Sequence, residues 1–179
     1  MSVPDRTAAS GLSPFLAGGI VLGVLGLSAA LGRRNAPDPS HPMIRRWYMR
    51  LDKPDFTPPD AVFGAVWPVL ETGLAVGGYR LMHQPAAPRR NLSIALWLLN
   101  TALIGGWTQI FVRERALGGS AVASATMLVT GTAYAATAAK VDRVAQATAI
   151  PFVAWLGFAA LLAERIWQRN PTPRLLPAR

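Results

Sequence analysis

Three tryptophans and two polar side chains stand inside long apolar runs, where their spacing matters. Phe63, Trp67, Glu71 and Leu74 recur at i, i+4 and i+3 intervals and share one helical face. Asn100 shares a second face with Trp97, Ile104, Trp107 and Phe111, and Phe152, Trp155, Ala159 and Leu162 share a third. Aromatic faces carrying a few polar groups suit a flat, largely apolar ligand. A carboxyl group such as Glu71 at membrane depth must face a bundle interior or a wet cavity, as a neutral acid bonded to a neighbouring helix or as a ligand contact. Asn100 must likewise find a partner across a helix interface or in a cavity. Trp47 and Trp167 fit an interfacial aromatic belt, whereas Trp67, Trp107 and Trp155 lie within their apolar segments. Hydrolytic and metal chemistry find no constellation: His41 and His83 fall in different loops and there is no cysteine.

The elements that must position these residues are membrane helices. The chain is 51% hydrophobic and 15% charged over 179 residues, with the charges set between long uncharged runs. Its net charge of +9 sits at the ends of those runs, where lipid headgroups would meet it, with no basic stripe or motif for nucleic acid. The pattern predicts an all-α integral membrane protein of five transmembrane helices, about 12–32, 61–82, 92–112, 119–139 and 147–167, each long enough for a ~30 Å hydrocarbon core. A signal peptide cleaved near Ser28, Ala29 and Ala30 is the rival reading of the first. A single domain over 12–170 is expected, with a polar leader at 1–11 and a polar tail at 171–179. Residues 33–60 read as a long loop whose prolines exclude a regular helix, folded as a cap by Trp47, Tyr48, Leu51 and Phe56. Gly19 and Gly23, with Gly26 after them, make one face of the first helix smooth enough for packing within the bundle or between copies. Pro68 predicts a kink in the second helix and Pro151 marks the entrance of the fifth. Ala, Ser, Thr and Gly make the fourth a contact helix. Twelve Lys and Arg lie on the side of the long loop and tail against six on the other, which places that loop and the C-terminus in the cytoplasm.

The segment Trp47-Tyr48, Leu51, Lys53-Pro54, Phe56-Thr57-Pro58-Pro59, Val62-Phe63 and Trp67 resembles the signature of the TspO/MBR family, the tryptophan-rich sensory proteins and mitochondrial translocator proteins. Leu99-Asn100 with Trp107 and Phe111, then Pro151-Phe152, Trp155, Phe158-Ala159, Ile166-Trp167 and Asn170, extend the likeness over nearly the whole chain. The resemblance implies a five-helix membrane protein, commonly a homodimer, whose first loop closes over a pocket that binds protoporphyrin IX or haem, drug-like ligands and, in animals, sterol. It carries the pocket onto Trp47, Tyr48, Pro58, Trp67, Asn100, Trp107, Trp155, Phe158 and Ala159. The helical faces add Phe63, Glu71, Ile104 and Phe152 to that candidate set.

The expected function is a sensor or carrier for tetrapyrroles, requiring no cofactor and no metal, in a lipid bilayer and in a bacterial setting. Light-dependent porphyrin degradation is the alternative, because Trp67 and Trp155 match tryptophans implicated in it. A membrane regulator or a lipid or sterol carrier is the blander one. Several residues depart from the family pattern. Glu71 stands where an aromatic is usual, Gln109 replaces the proline after the third-helix tryptophan, and Pro68 follows Trp67 instead of preceding it. Ala163-Glu164-Arg165 lacks the tyrosine of the sterol-associated motif. These departures set sterol and classical drug ligands apart from the aromatic pocket, whose wall at Glu71 is more polar.

Overall fold

A computed structural model describes residues 10–37 and 39–171, so most of the expected leader and tail lies outside the described residues. The chain forms α1 (Pro14–Arg34), α2 (Pro42–Met49), α3 (Asp60–His83), α4 (Pro88–Thr108) continuing into a π-turn (Gln109–Arg113), α5 (Leu117–Ala138) and α6 (Arg143–Arg169). There is no strand among the described residues. Four helices are long and apolar enough to cross a membrane: α1, α3, α4 with its π-turn, and α6. α5 is 22 residues long, but its Ser, Thr and Gly dilute its hydropathy, so it does not qualify on its own.

Two sequence expectations are corrected. The proline-rich segment 33–60 is not helix-free, because α2 lies within it. Pro42 occupies the first turn of α2, where a missing amide donor costs no bond. Proline does not stop the later helices either. α4 starts at Pro88 rather than 92 for the same reason, and α6 starts at Arg143 rather than 147, with Pro151 in its interior. Asp142 sets that start. Its Oδ1 accepts the amides of Val144 and Ala145, both at 2.9 Å, so the helix has its cap nine residues before the proline. α3 runs on through Pro68, and the Thr72 hydroxyl donates to the Pro68 carbonyl at 2.7 Å.

The five long helices close a ring in the order α1, α3, α6, α5, α4, with α3 also touching α4 across it. Small residues allow these approaches. At Gly78 a Cβ would stand 2.7 Å from the Trp97 indole, and at Gly131 one would stand 2.9 Å from Leu156. Trp97 is fully buried and donates its Nε1–H to the Leu74 carbonyl at 2.8 Å, tying α4 to α3. Ser28 is buried and donates to the Thr101 carbonyl at 2.8 Å, a contact between α1 and α4. The face carrying Gly19, Gly23 and Gly26 meets nothing within 4 Å, so it is not used inside the chain.

At the end of the bundle where α3 passes to α4 and α5 to α6, Asp142 gathers several donors. The Arg80 guanidinium donates to both oxygens of Asp142 at 2.9 and 3.0 Å, and Gln84 Nε2 adds a third donor at 3.2 Å. These bonds hold the Asp142 carboxyl below its ordinary range, the Arg80 hydrogen bond being the main cause. Arg90 donates to the carbonyls of Leu81 and Met82 at 3.0 and 2.8 Å, closing the C-terminus of α3.

Candidate functional site

The opposite end gathers the aromatic residues. α2 is amphipathic by residue order: Ile44, Trp47 and Tyr48 turn inward onto Phe111, Val112, Leu162 and Ile166, while Met43, Arg45, Arg46 and Met49 stay exposed. Trp47 meets Phe111 edge-on at 5.7 Å and Tyr48 meets it at 6.3 Å. Phe111 in turn stacks on Trp107, with ring centroids 4.6 Å apart and planes 14° from parallel. The π-turn carries Phe111, closed by the Glu114 amide donating to the Gln109 carbonyl at 3.0 Å. Gln109, which replaces a family proline, also accepts from Asn35 Nδ2 at 3.0 Å and donates to Glu114 at 3.2 Å. The Trp107 indole N–H is donated to Ser124 Oγ at 2.9 Å.

A second run of rings lies against the same cluster. Phe63 of α3 meets Trp155 of α6 at 5.7 Å, Trp155 meets Phe158 at 5.2 Å, and Phe56 from the loop caps Phe158 at 6.4 Å. Each contact falls in the range where aromatic pairs attract beyond their area burial. Two open grooves, of about 560 and 460 Å³, are lined by residues outside these rings.

The segment from α2 to α3 closes over these rings as a lid with few ties. The Asp52 amide donates to Asn170 Oδ1 at 3.0 Å, and Asn170 Nδ2 donates to the Asp52 carbonyl at 2.9 Å. Arg169 adds longer contacts, 3.3 Å to the Lys53 carbonyl and 3.5 Å to the Asp52 carboxylate, all exposed. Thr57 turns the chain by donating its amide and hydroxyl to the Pro54 carbonyl at 2.9 and 2.7 Å. Two cations stand on the rim: Lys53 Nζ lies 3.8 Å over the Tyr48 ring and the Arg115 guanidinium 5.6 Å over Trp47. Arg115 has φ 54°, the one positive value at a non-glycine position among the described residues, so the backbone is strained where it delivers this cation. The Tyr48 hydroxyl donates to Asp60 at 3.4 Å, and burial, followed by the Asp60 charge, pushes its pKa up to about 12. Among the described residues no group of His, Asp and Glu could hold a metal ion.

A model of the TspO/MBR family matches residues 15–168 of the chain. The chain belongs to the TspO/MBR family. It is similar to the translocator protein of Bos taurus, 31% identical over 134 residues that cover 72% of this chain and 78% of the relative. The translocator protein of Homo sapiens is 32% identical over 129 residues, 70% and 75% of the two chains. Protein CrtK of Rhodobacter capsulatus is 26% identical over 129 residues, 70% and 79%.

Of the residues expected to form the pocket in this TspO/MBR protein, Trp47, Tyr48, Phe63, Trp107, Trp155 and Phe158 come together in the two ring groups. Pro58 and Ala159 are half-buried, and Ile104 is half-buried against the main core. Trp67 packs on that core too, but no ring contact joins it to Trp155 among the described residues. Asn100 and Phe152 are fully buried in helix contacts. Asn100 donates to the Leu96 carbonyl at 2.9 Å and accepts from Thr130 at 3.2 Å, which is the cross-helix partner its burial demands. Glu71 is half-buried without a hydrogen bond among the described residues. It lies seven residues before Gly78, on the stripe of α3 that faces Trp97 of α4, while Gly73 and Gly77 face Thr148 of α6. The residues absent from the expected set are Phe111, Phe56 and Ser124. Phe111 shares the Trp107 face at i+4, a signal that was legible; Ser124 looks like any small residue of a contact helix.

Proposed function

We propose that this family member is a membrane-embedded binding protein for a flat, acidic, aromatic ligand of the tetrapyrrole class, held among the rings beneath the lid. The observation that carries the reading is the pairing of two ring groups with two rim cations. Phe63, Trp155, Phe158 and Phe56, with Trp107 and Phe111, offer faces for a macrocycle, and Lys53 and Arg115 stand where its carboxylates would emerge. In this reading the ligand enters by lifting the lid, which exposed bonds from Asn170 and Arg169 hold down. Five crossings belong to this reading, with α5 spanning as a partner of α4 and α6, which flank it. So does a homodimer, for which the open glycine face of α1 is available. The names of the relatives, translocator protein among them, accord with a binding or transport role.

Titration of the purified protein with protoporphyrin IX, followed by tryptophan fluorescence, tests the reading. Saturable quenching is expected. Trp155→Ala removes two ring contacts and weakens affinity by about tenfold. Glu71→Gln changes it less than about twofold, because no hydrogen bond joins Glu71 to the ring groups among the described residues. Absence of saturation, or equal losses from the two variants, contradicts the site.

A further inference from the structure

At the Arg80–Asp142 end of the bundle, the chain between α3 and α4 and the turn between α5 and α6 enclose an open groove of about 560 Å³ lined by Gln84, Pro85, Pro88, Arg89, Arg90 and Lys140. The lining holds three cations and no carboxylate. Asp142, the nearest acid in the chain, is not part of it; that carboxyl is buried and already satisfied by Arg80, Gln84 and the start of α6. Arg90 is committed to the carbonyls of Leu81 and Met82 but keeps its charge. Arg89 and Lys140 are exposed, and neither has an ion pair or side-chain hydrogen bond among the described residues. The groove therefore concentrates positive charge in a concavity, and no counter-charge from the described residues neutralises it.

Its depth in the membrane identifies the occupant. α3 and α4 both qualify as membrane spans, and the groove lies where one ends at His83 and the next begins at Pro88. That level is the polar boundary of the bilayer, where lipid phosphates are the dense anions and Lys and Arg gain by facing them. We propose that this groove is a binding site for the phosphate of an anionic membrane lipid headgroup, held by Arg89 and Lys140 with Arg90 behind them. The site is separate from the aromatic cluster and stands or falls independently of the ligand bound there.

The test is native mass spectrometry of the full-length protein released from mixed vesicles of phosphatidylglycerol and phosphatidylcholine, at low and raised salt. Wild type is expected to retain phosphatidylglycerol in preference, with the preference falling as salt screens the exposed cations. Arg89→Gln with Lys140→Gln should lower that preference on the order of twentyfold, about fivefold for each cation removed. Arg90 is left in place because it closes α3. Arg143→Gln, an exposed cation at the same membrane surface but outside the groove, should leave the preference unchanged. Equal retention of the two lipids by wild type, an unchanged double variant, or an equal loss from Arg143→Gln overturns the proposal. Displacement of the lipid by millimolar inorganic phosphate overturns the lipid assignment in favour of a free-anion site.

Discussion

The two ends of the bundle are built from different chemistry. Where α3 turns into α4 and α5 into α6, Asp142 collects a guanidinium, an amide side chain and two backbone donors at once. At the lid end ring contacts predominate, and the lid segment is tied at Asp52 and Lys53 by exposed bonds with Asn170 and Arg169. A buried carboxylate with its donors arranged round it cannot lose one partner without leaving charge unsatisfied. An aromatic edge contact can slip, re-form or be replaced by another flat ring at small cost. One end therefore anchors the helices, and the other is the end that opens in the proposed function.

Breaking the anchor has the largest expected effect. Asp142→Ala removes the cap of α6 and the bonds from Arg80 and Gln84, and it should lower stability by about 2 kcal/mol, read as a fall in the thermal unfolding midpoint in detergent. At the lid, Asn170→Ala deletes both bonds to Asp52 and should lower global stability by no more than about 1 kcal/mol, while raising the association rate of protoporphyrin IX about fivefold. A stability loss at Asn170 as large as that at Asp142 would erase the contrast between the ends.

The pH dependence sharpens it further. The Tyr48 phenol has its pKa raised from 10.0 to about 12, so its contribution to folding is complete below pH 10 and is lost as pH rises from 10 through about 12. The Asp142 pKa is lowered, so its contribution is present above the ordinary carboxylate range and is lost as pH falls through the folded value. Alkaline titration should loosen the lid first, seen as a change in Trp47 and Trp107 fluorescence before helix content falls. Acid should weaken the anchor with the lid still closed.

Much of this arrangement was legible in the chain. Runs of uncharged residues placed the long helices, and i, i+3 and i+4 spacing put Phe63, Trp107, Trp155 and Phe158 on inward faces. What periodicity could not tell was which inward face meets the ring groups and which meets a neighbouring helix. Asn100 and Phe152 have the same spacing as residues of the ring groups, yet they lie in contacts with Thr130 and Gly131 of α5. Glu71 shares a stripe with Trp67, which packs on the main core, and has no hydrogen bond among the described residues. Helix α2 was hidden by its prolines, because Pro42 is tolerated only at the first turn and the composition of the segment does not say where a helix starts. The π-turn had no local signature beyond the substitution of Gln109 for a proline.

Hydrogen exchange with and without protoporphyrin IX tests most directly whether the lid end is the working end. The account predicts that residues 47–60 exchange faster than the capped start of α6 at Val144 and Ala145 in the free protein. Ligand should then slow exchange across 47–60 while leaving 80–91 and 142–146 unchanged. Protection confined to the Arg80–Asp142 end, or spread evenly over both ends, would contradict it.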